Sequence, residues 1–95
     1  MHTIKSVEIT FDPAKDALNV TKHGVSLVLA SDLEWEYLLA KPDQRRDYGE
    51  LRLIGYAPMG SRVFCVVFTD RGDQRRIISL RKANRREVKR YASQI

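Results

Sequence analysis

Lys22 and His23 stand side by side, a Glu-x-Arg pair follows at Glu50 and Arg52, and an Arg-x-Ile-Ser-x-Arg run closes the set at Arg76, Ile78, Ser79 and Arg81. An imidazole, a carboxylate and several fixed cations suit cleavage of RNA without a metal. RNA brings its own nucleophile, the 2′-hydroxyl. The protein then needs a base for that proton, an acid for the leaving 5′-oxygen, and cations around the phosphorus where negative charge grows. His23 and Glu50 are the candidate proton handlers, and Lys22, Arg52, Arg76 and Arg81 are the candidate clamps. Arginine is apt for that role because its planar fork matches phosphate oxygens. Arg62, Lys82 and Arg85 are candidates for further RNA contacts.

Each of these residues also has a plainer reading. Cations favour a helix C-terminus by about 0.3 to 1 kcal/mol, which alone would place Lys22 and His23 at a helix end. Glu50 could form an ordinary surface pair with Arg52 or Arg45. Arg86, Lys89 and Arg90 read as a solvated helix face. For His23, a helix end favours the imidazolium and Lys22 disfavours it, so the sequence assigns it neither as acid nor as base.

Composition narrows the classes. Seventeen Lys plus Arg against twelve Asp plus Glu give a formal charge of +5, which suits a polyanionic partner. The single cysteine, Cys65, excludes an internal disulfide and a thiolate metal cluster, and its setting in VFCVVF makes it a core residue. His2 has no partner motif near it. HExxH, GxxxxGK[ST] and GxGxxG are all absent, so no metal and no cofactor is expected. The N-terminal MHTIKSVEIT has no continuous apolar stretch, and no segment approaches the ~20 apolar residues that cross a bilayer. A cytoplasmic protein with no membrane role is expected, folded as one domain over residues 1–95.

The elements that must position these residues are legible in outline. Alternation over 7–11 predicts a strand. Asp12 and Pro13 open a helix over 13–23 that Gly24 closes. Ser26 caps a second short helix through the apolar run to Leu33; residues 34–40 fit either an extension of that helix or a strand, and 41–50 read as a loop. Runs at 51–57, 62–69 and 74–81, separated by APMGS and DRGD, predict an antiparallel meander. Asn84 and Glu87 form a capping box for a C-terminal helix with Val88, Tyr91, Ala92 and Ile95 on one face. The expected class is α+β, with all helices on the core face of one curled sheet and the other face uncovered. Strict alternation along the last strand puts Arg76, Ile78 and Leu80 on one face and Arg75, Ile77, Ser79 and Arg81 on the other.

Three blocks, FDPAKDALNVTKHGVS, GELRLIGY and VFCVVFTDRGDQRRIISLRKANRREVKRY, in that order and spacing, resemble the BrnT family of bacterial toxins from type II toxin–antitoxin systems. The resemblance spans about residues 11–91. It implies a RelE-like fold and a ribonuclease that blocks translation by cutting RNA. It also implies neutralisation by a BrnA-like antitoxin with a ribbon-helix-helix domain, and operator DNA contacted only through that antitoxin. The family's KHG block falls on Lys22, His23 and Gly24, its E-x-R block on Glu50 and Arg52, and its R-x-I-S-x-R strand on Arg76, Ile78, Ser79 and Arg81. Leu27 and Val28 replace acidic residues common in relatives, and a histidine often found before the E-x-R block is absent. The alternative kept beside this reading is a non-catalytic basic module that binds nucleic acid or an antitoxin.

Overall fold

The computed structural model describes residues 7–95, so His2 lies outside it. Strand β1 (Glu8–Phe11) leads into helix α1 (Pro13–His23). The Asp12 carboxylate accepts from the Ala14 N–H at 2.9 Å, and Gly24, at φ 75°, ends the helix with its N–H on the Val20 carbonyl. Both signals act as the sequence predicts.

The short helix expected after Ser26 forms as a 3₁₀ helix, Leu27–Asp32, followed by a second 3₁₀ turn at Trp35–Tyr37. The reason is spacing: Leu27, Ala30 and Leu33 recur every three residues, the 3₁₀ period, and all three are buried while Val28 is left exposed. The Asp16 carboxylate accepts from Ser26 Oγ and the Leu27 N–H, tying this turn back to α1.

Five strands make one sheet in the order β1-β5-β4-β3-β2, with β2 at Leu39–Pro42, β3 at Leu53–Met59, β4 at Arg62–Arg71 and β5 at Gln74–Lys82. The meander β3–β4–β5 is antiparallel as predicted, and β1 joins the edge of β5 in parallel. Strand β2 claims Lys41 and Pro42 from the expected loop; proline is tolerated there because β2 is an edge. Gly55 faces it without a side chain, since a Cβ would come within 2.9 Å of the Ala40 Cβ.

The core occupies one face. Leu27, Ala30 and Leu33 pack on Phe64, Val66 and Phe68 of β4 and on Ile77 and Leu80 of β5, with Trp35 edge-on to Phe68 at 5.3 Å. Arg75 belongs to this side: its guanidinium lies 4.6 Å over the Trp35 and Phe68 rings and pairs with Asp70, a structural role.

Strict alternation fails in β5. Phe68 opposes Ile77 but Val67 opposes Ser79, so Ile78 is an extra residue, a β-bulge. The bulge lets Ile77 and Leu80 both reach the core. It also brings Arg76 and Arg81, expected on opposite faces, onto the same one.

Helix α2 (Arg85–Ala92) begins with the predicted capping box, Asn84 Oδ1 accepting from the Glu87 N–H and Glu87 Oε1 from the Asn84 N–H, each at 2.8 Å. It lies on the face opposite the core, which corrects the expectation that all helices share one side. Its Tyr91 hydroxyl donates to the Tyr37 carbonyl at 2.7 Å, and Val88 and Tyr91 line a groove with Pro58 and Val63. Among the described residues, no helix is long and apolar enough to cross a membrane.

Candidate active site

The second face of the sheet carries the functional candidates in rows fixed by strand register. Tyr56, Cys65 and Arg81 form one row; Ile54, Val67 and Ser79 the next; Arg52 precedes Leu53, so it stands level with the row of Thr69 and Arg76. Helix α2 covers this face near the first row, and residues 43–52 fold over it near the third, where Thr69 Oγ1 donates to the Leu51 carbonyl at 2.7 Å.

His23 reaches this face from α1. Strand β1 stops pairing at Phe11 and Ile77, which leaves the edge of β5 bare beyond that point. Asn19 fills the gap. Its side chain accepts from the Leu80 N–H at 3.2 Å and donates to the carbonyls of Leu80 at 2.8 Å and Val25 at 2.9 Å. His23 is four residues on, hence on the same helix face, and near enough to Arg81 to feel its charge. Burial, then the charges of Lys22 and Arg81, lower the imidazole below its ordinary 6.5. A lowered value favours the neutral ring, the form that can accept a proton. The His23 ring resonances should titrate by NMR with a midpoint below 6.5, and Lys22→Ala should move that midpoint upward.

Arg81 is held as a fork. Its NH1 and NH2 groups donate to the two Glu87 oxygens at 2.8 and 2.9 Å, and the Tyr56 hydroxyl donates to the same carboxylate at 2.9 Å. The Arg81 bonds, helped by the Asn84 N–H and Tyr56, outweigh burial and pull the Glu87 carboxyl down to about 2. Tyr56 is pushed up to about 12, by burial first and then by this bond. Glu87 was visible in the sequence only as a helix cap; its contact with the site could not be read there because it depends on which face α2 takes.

Arg52 is positioned by a loop with a buried centre. The Asp43 carboxylate takes the Arg45 fork at 2.8 and 2.7 Å and the Tyr48 hydroxyl at 3.3 Å, and the Asp43 N–H donates to the Arg52 carbonyl at 2.7 Å. The Arg45 bonds hold Asp43 down at about 2. The Arg52 guanidinium then lies 3.8 Å from the centre of the Tyr48 ring.

Glu50 is placed elsewhere. It pairs with Arg71 at 2.9 Å, at the β4–β5 turn. Arg71 stands about 20 Å from the Arg81 row at ~3.3 Å per residue along β4 from Cys65. The surface-pair reading of Glu50 thus describes it, with Arg71 rather than Arg52 or Arg45 as the partner. Arg85 begins α2 close in sequence to the Arg81 row, whereas Lys82, opposite the core residue Phe64, and the exposed Arg62, in step with Phe64 along β4, are directed by register to the other face. Among the described residues, no group of three or more His, Cys, Asp and Glu side chains is placed to hold a metal ion.

A basic α+β domain carries an imidazole and several guanidinium groups around one sheet face, an arrangement whose chemistry suits phosphate esters. Residues 11–87 match the family described as the ribonuclease toxin BrnT of type II toxin–antitoxin systems, and the chain belongs to that family. The fold is similar to the crystal structure of the Brucella abortus ribonuclease toxin BrnT, with a TM-score of 0.64 and 25% identity over 83% of this chain and 99% of that one. No protein of curated function matches the sequence. Membership implies an RNA substrate and an antitoxin partner.

Proposed function

We propose that this chain is a metal-independent endoribonuclease that inhibits translation by cutting RNA in the cytoplasm. A BrnA-like antitoxin with a ribbon-helix-helix domain neutralises it and alone contacts operator DNA. The observation that supports the catalytic reading is the setting of His23: Asn19 docks the end of α1 on β5, and the His23 imidazole, within reach of the Arg81 charge, is biased toward its neutral form. In this mechanism His23 removes the 2′-hydroxyl proton, the 2′-oxygen attacks phosphorus, and the P–O5′ bond breaks to leave a 2′,3′-cyclic phosphate and a 5′-hydroxyl. The leaving oxygen takes its proton from water. Arg81 and Lys22 stabilise the charge that grows on the phosphoryl oxygens, and Arg52 and Arg76 add phosphate contacts on the same face. Glu50, paired with Arg71, is given no step in this mechanism.

The antitoxin reading is supported by charge. A segment bearing carboxylates would compete with RNA for the Arg76 and Arg81 face, and covering a cationic cleft in this way is a direct route to neutralisation.

Incubation of the purified protein with RNA, with and without EDTA, tests the reading. Products with cyclic phosphate ends are expected in both reactions. Cleavage abolished by EDTA would refute metal independence. Salt-sensitive binding with no product would instead favour the non-catalytic module.

A further inference from the structure

Arg45, Arg71, Arg75 and Arg81 each pair with a carboxylate of the chain. Arg52 and Arg76 are half-buried like Arg75 and Arg81 but differ from them: among the described residues neither has an ionic partner. Arg52 Nε is moreover the one buried side-chain polar atom among the described residues without a hydrogen bond. Leaving such a group unmatched costs about 1–3 kcal/mol, more when it is charged. The chain nevertheless builds a support for it, burying the Asp43 carboxylate, 1% exposed, to fix Tyr48 beneath the guanidinium. A charge held by packing and hydrogen-bonded scaffolding, with no internal counter-ion, is suited to an anion from outside.

Register places these two cations together. Arg52 precedes Leu53, which opposes Phe68, so it stands level with Thr69, and Thr69 opposes Arg76. This row lies about 13 Å from the Arg81 row, at ~3.3 Å per residue along β4 from Cys65 to Thr69. The side chains also diverge: Arg81 is turned to Glu87 and α2, Arg52 to Tyr48 and the loop. A single phosphodiester does not fill both rows.

We infer that Arg52, propped on Tyr48, and Arg76 form a second phosphate subsite that grips a nucleotide flanking the one being cut. This rests on the ribonuclease reading above and deepens it: the substrate is an RNA strand that spans both rows, and a lone dinucleotide engages only the first. Tyr48 and Asp43 are positioning residues, acting through Arg52.

The test uses two substrates, a dinucleoside monophosphate and a mixed-sequence octanucleotide. It adds an octanucleotide methylated at every 2′-oxygen, which cannot be cut, for binding by anisotropy over a salt series. Arg52→Ala and Arg76→Ala are expected to reduce kcat/KM on the octanucleotide about tenfold more than on the dinucleotide, chiefly through KM. Arg52→Lys should restore part of the loss. The slope of log K against log salt for the methylated strand should fall by about 0.7 when the contact is removed. Tyr48→Phe, which keeps the ring, should stay closer to wild type than Tyr48→Leu. Equal losses on both substrates would place Arg52 and Arg76 at the scissile phosphate and overturn the inference; so would an unchanged salt slope. If no RNA is cut by the wild-type protein, a slope that still depends on Arg52 retains the subsite and rejects only the nuclease reading.

Discussion

Replacement of His23 by alanine is expected to lower RNA cleavage by about 10²- to 10⁴-fold, the range for loss of a positioned proton acceptor. The fold should survive, because the His23 side chain is only half-buried and makes no hydrogen bond among the described residues. Single-turnover cleavage and a thermal melt on the same preparation check both halves. The expectation follows from charge and position together. Burial, then Lys22 and Arg81, disfavour the imidazolium and favour the proton-accepting form, and in the proposed mechanism Arg81 meets the phosphate. Arg81→Lys, which keeps charge but loses the fork, should also be severely impaired. A folded His23→Ala protein that cuts RNA at the wild-type rate would remove the imidazole from the mechanism.

The second large effect is expected at Asn19, which touches no substrate in this reading. Its amide satisfies the Leu80 N–H and carbonyl and the Val25 carbonyl in a buried setting. Asn19→Ala leaves these backbone groups unmatched and should destabilise the protein by about 2 to 4 kcal/mol, at ~1–3 kcal/mol for each buried group left alone. On a domain of this size each kcal/mol lowers Tm by roughly 4–8 °C. Asn19→Asp should be no better, since a carboxylate cannot donate to two carbonyls. Urea unfolding monitored by circular dichroism is the measurement; a loss under about 0.5 kcal/mol, the range of an ordinary surface change, would mean that the docking of α1 on β5 rests on other contacts.

How much of this was legible depended on the range of the signal. Caps and turns are written in adjacent residues, so α1, bounded by Asp12 and Gly24, and the capping box at Asn84 and Glu87 could be read directly. The hairpins were equally plain. What failed was set by contacts far apart in the chain. Nothing local in Gln74 to Lys82 marks Ile78 as the extra residue, yet that bulge decides whether Arg76 and Arg81 share a face. The face chosen by α2 depends on Glu87 meeting Arg81 and Tyr56 across the sheet, and the partner of Glu50 on where the β4–β5 turn falls. Motif spacing identified most of the cations that share the second face. It could not separate Glu50, whose pattern with Arg52 looks like a unit although the fold sends the two side chains to different partners.

The clasp between Asn19 and Leu80 joins residues 61 positions apart, and β1 pairs with β5. Contacts of such separation form late, because the loop between them must close first. A nascent chain still lacking its final strand has its imidazole but nowhere to lodge it, and none of the guanidinium groups of Arg76 or Arg81. In the reading proposed above, a fragment that stops before β5 therefore has no assembled site.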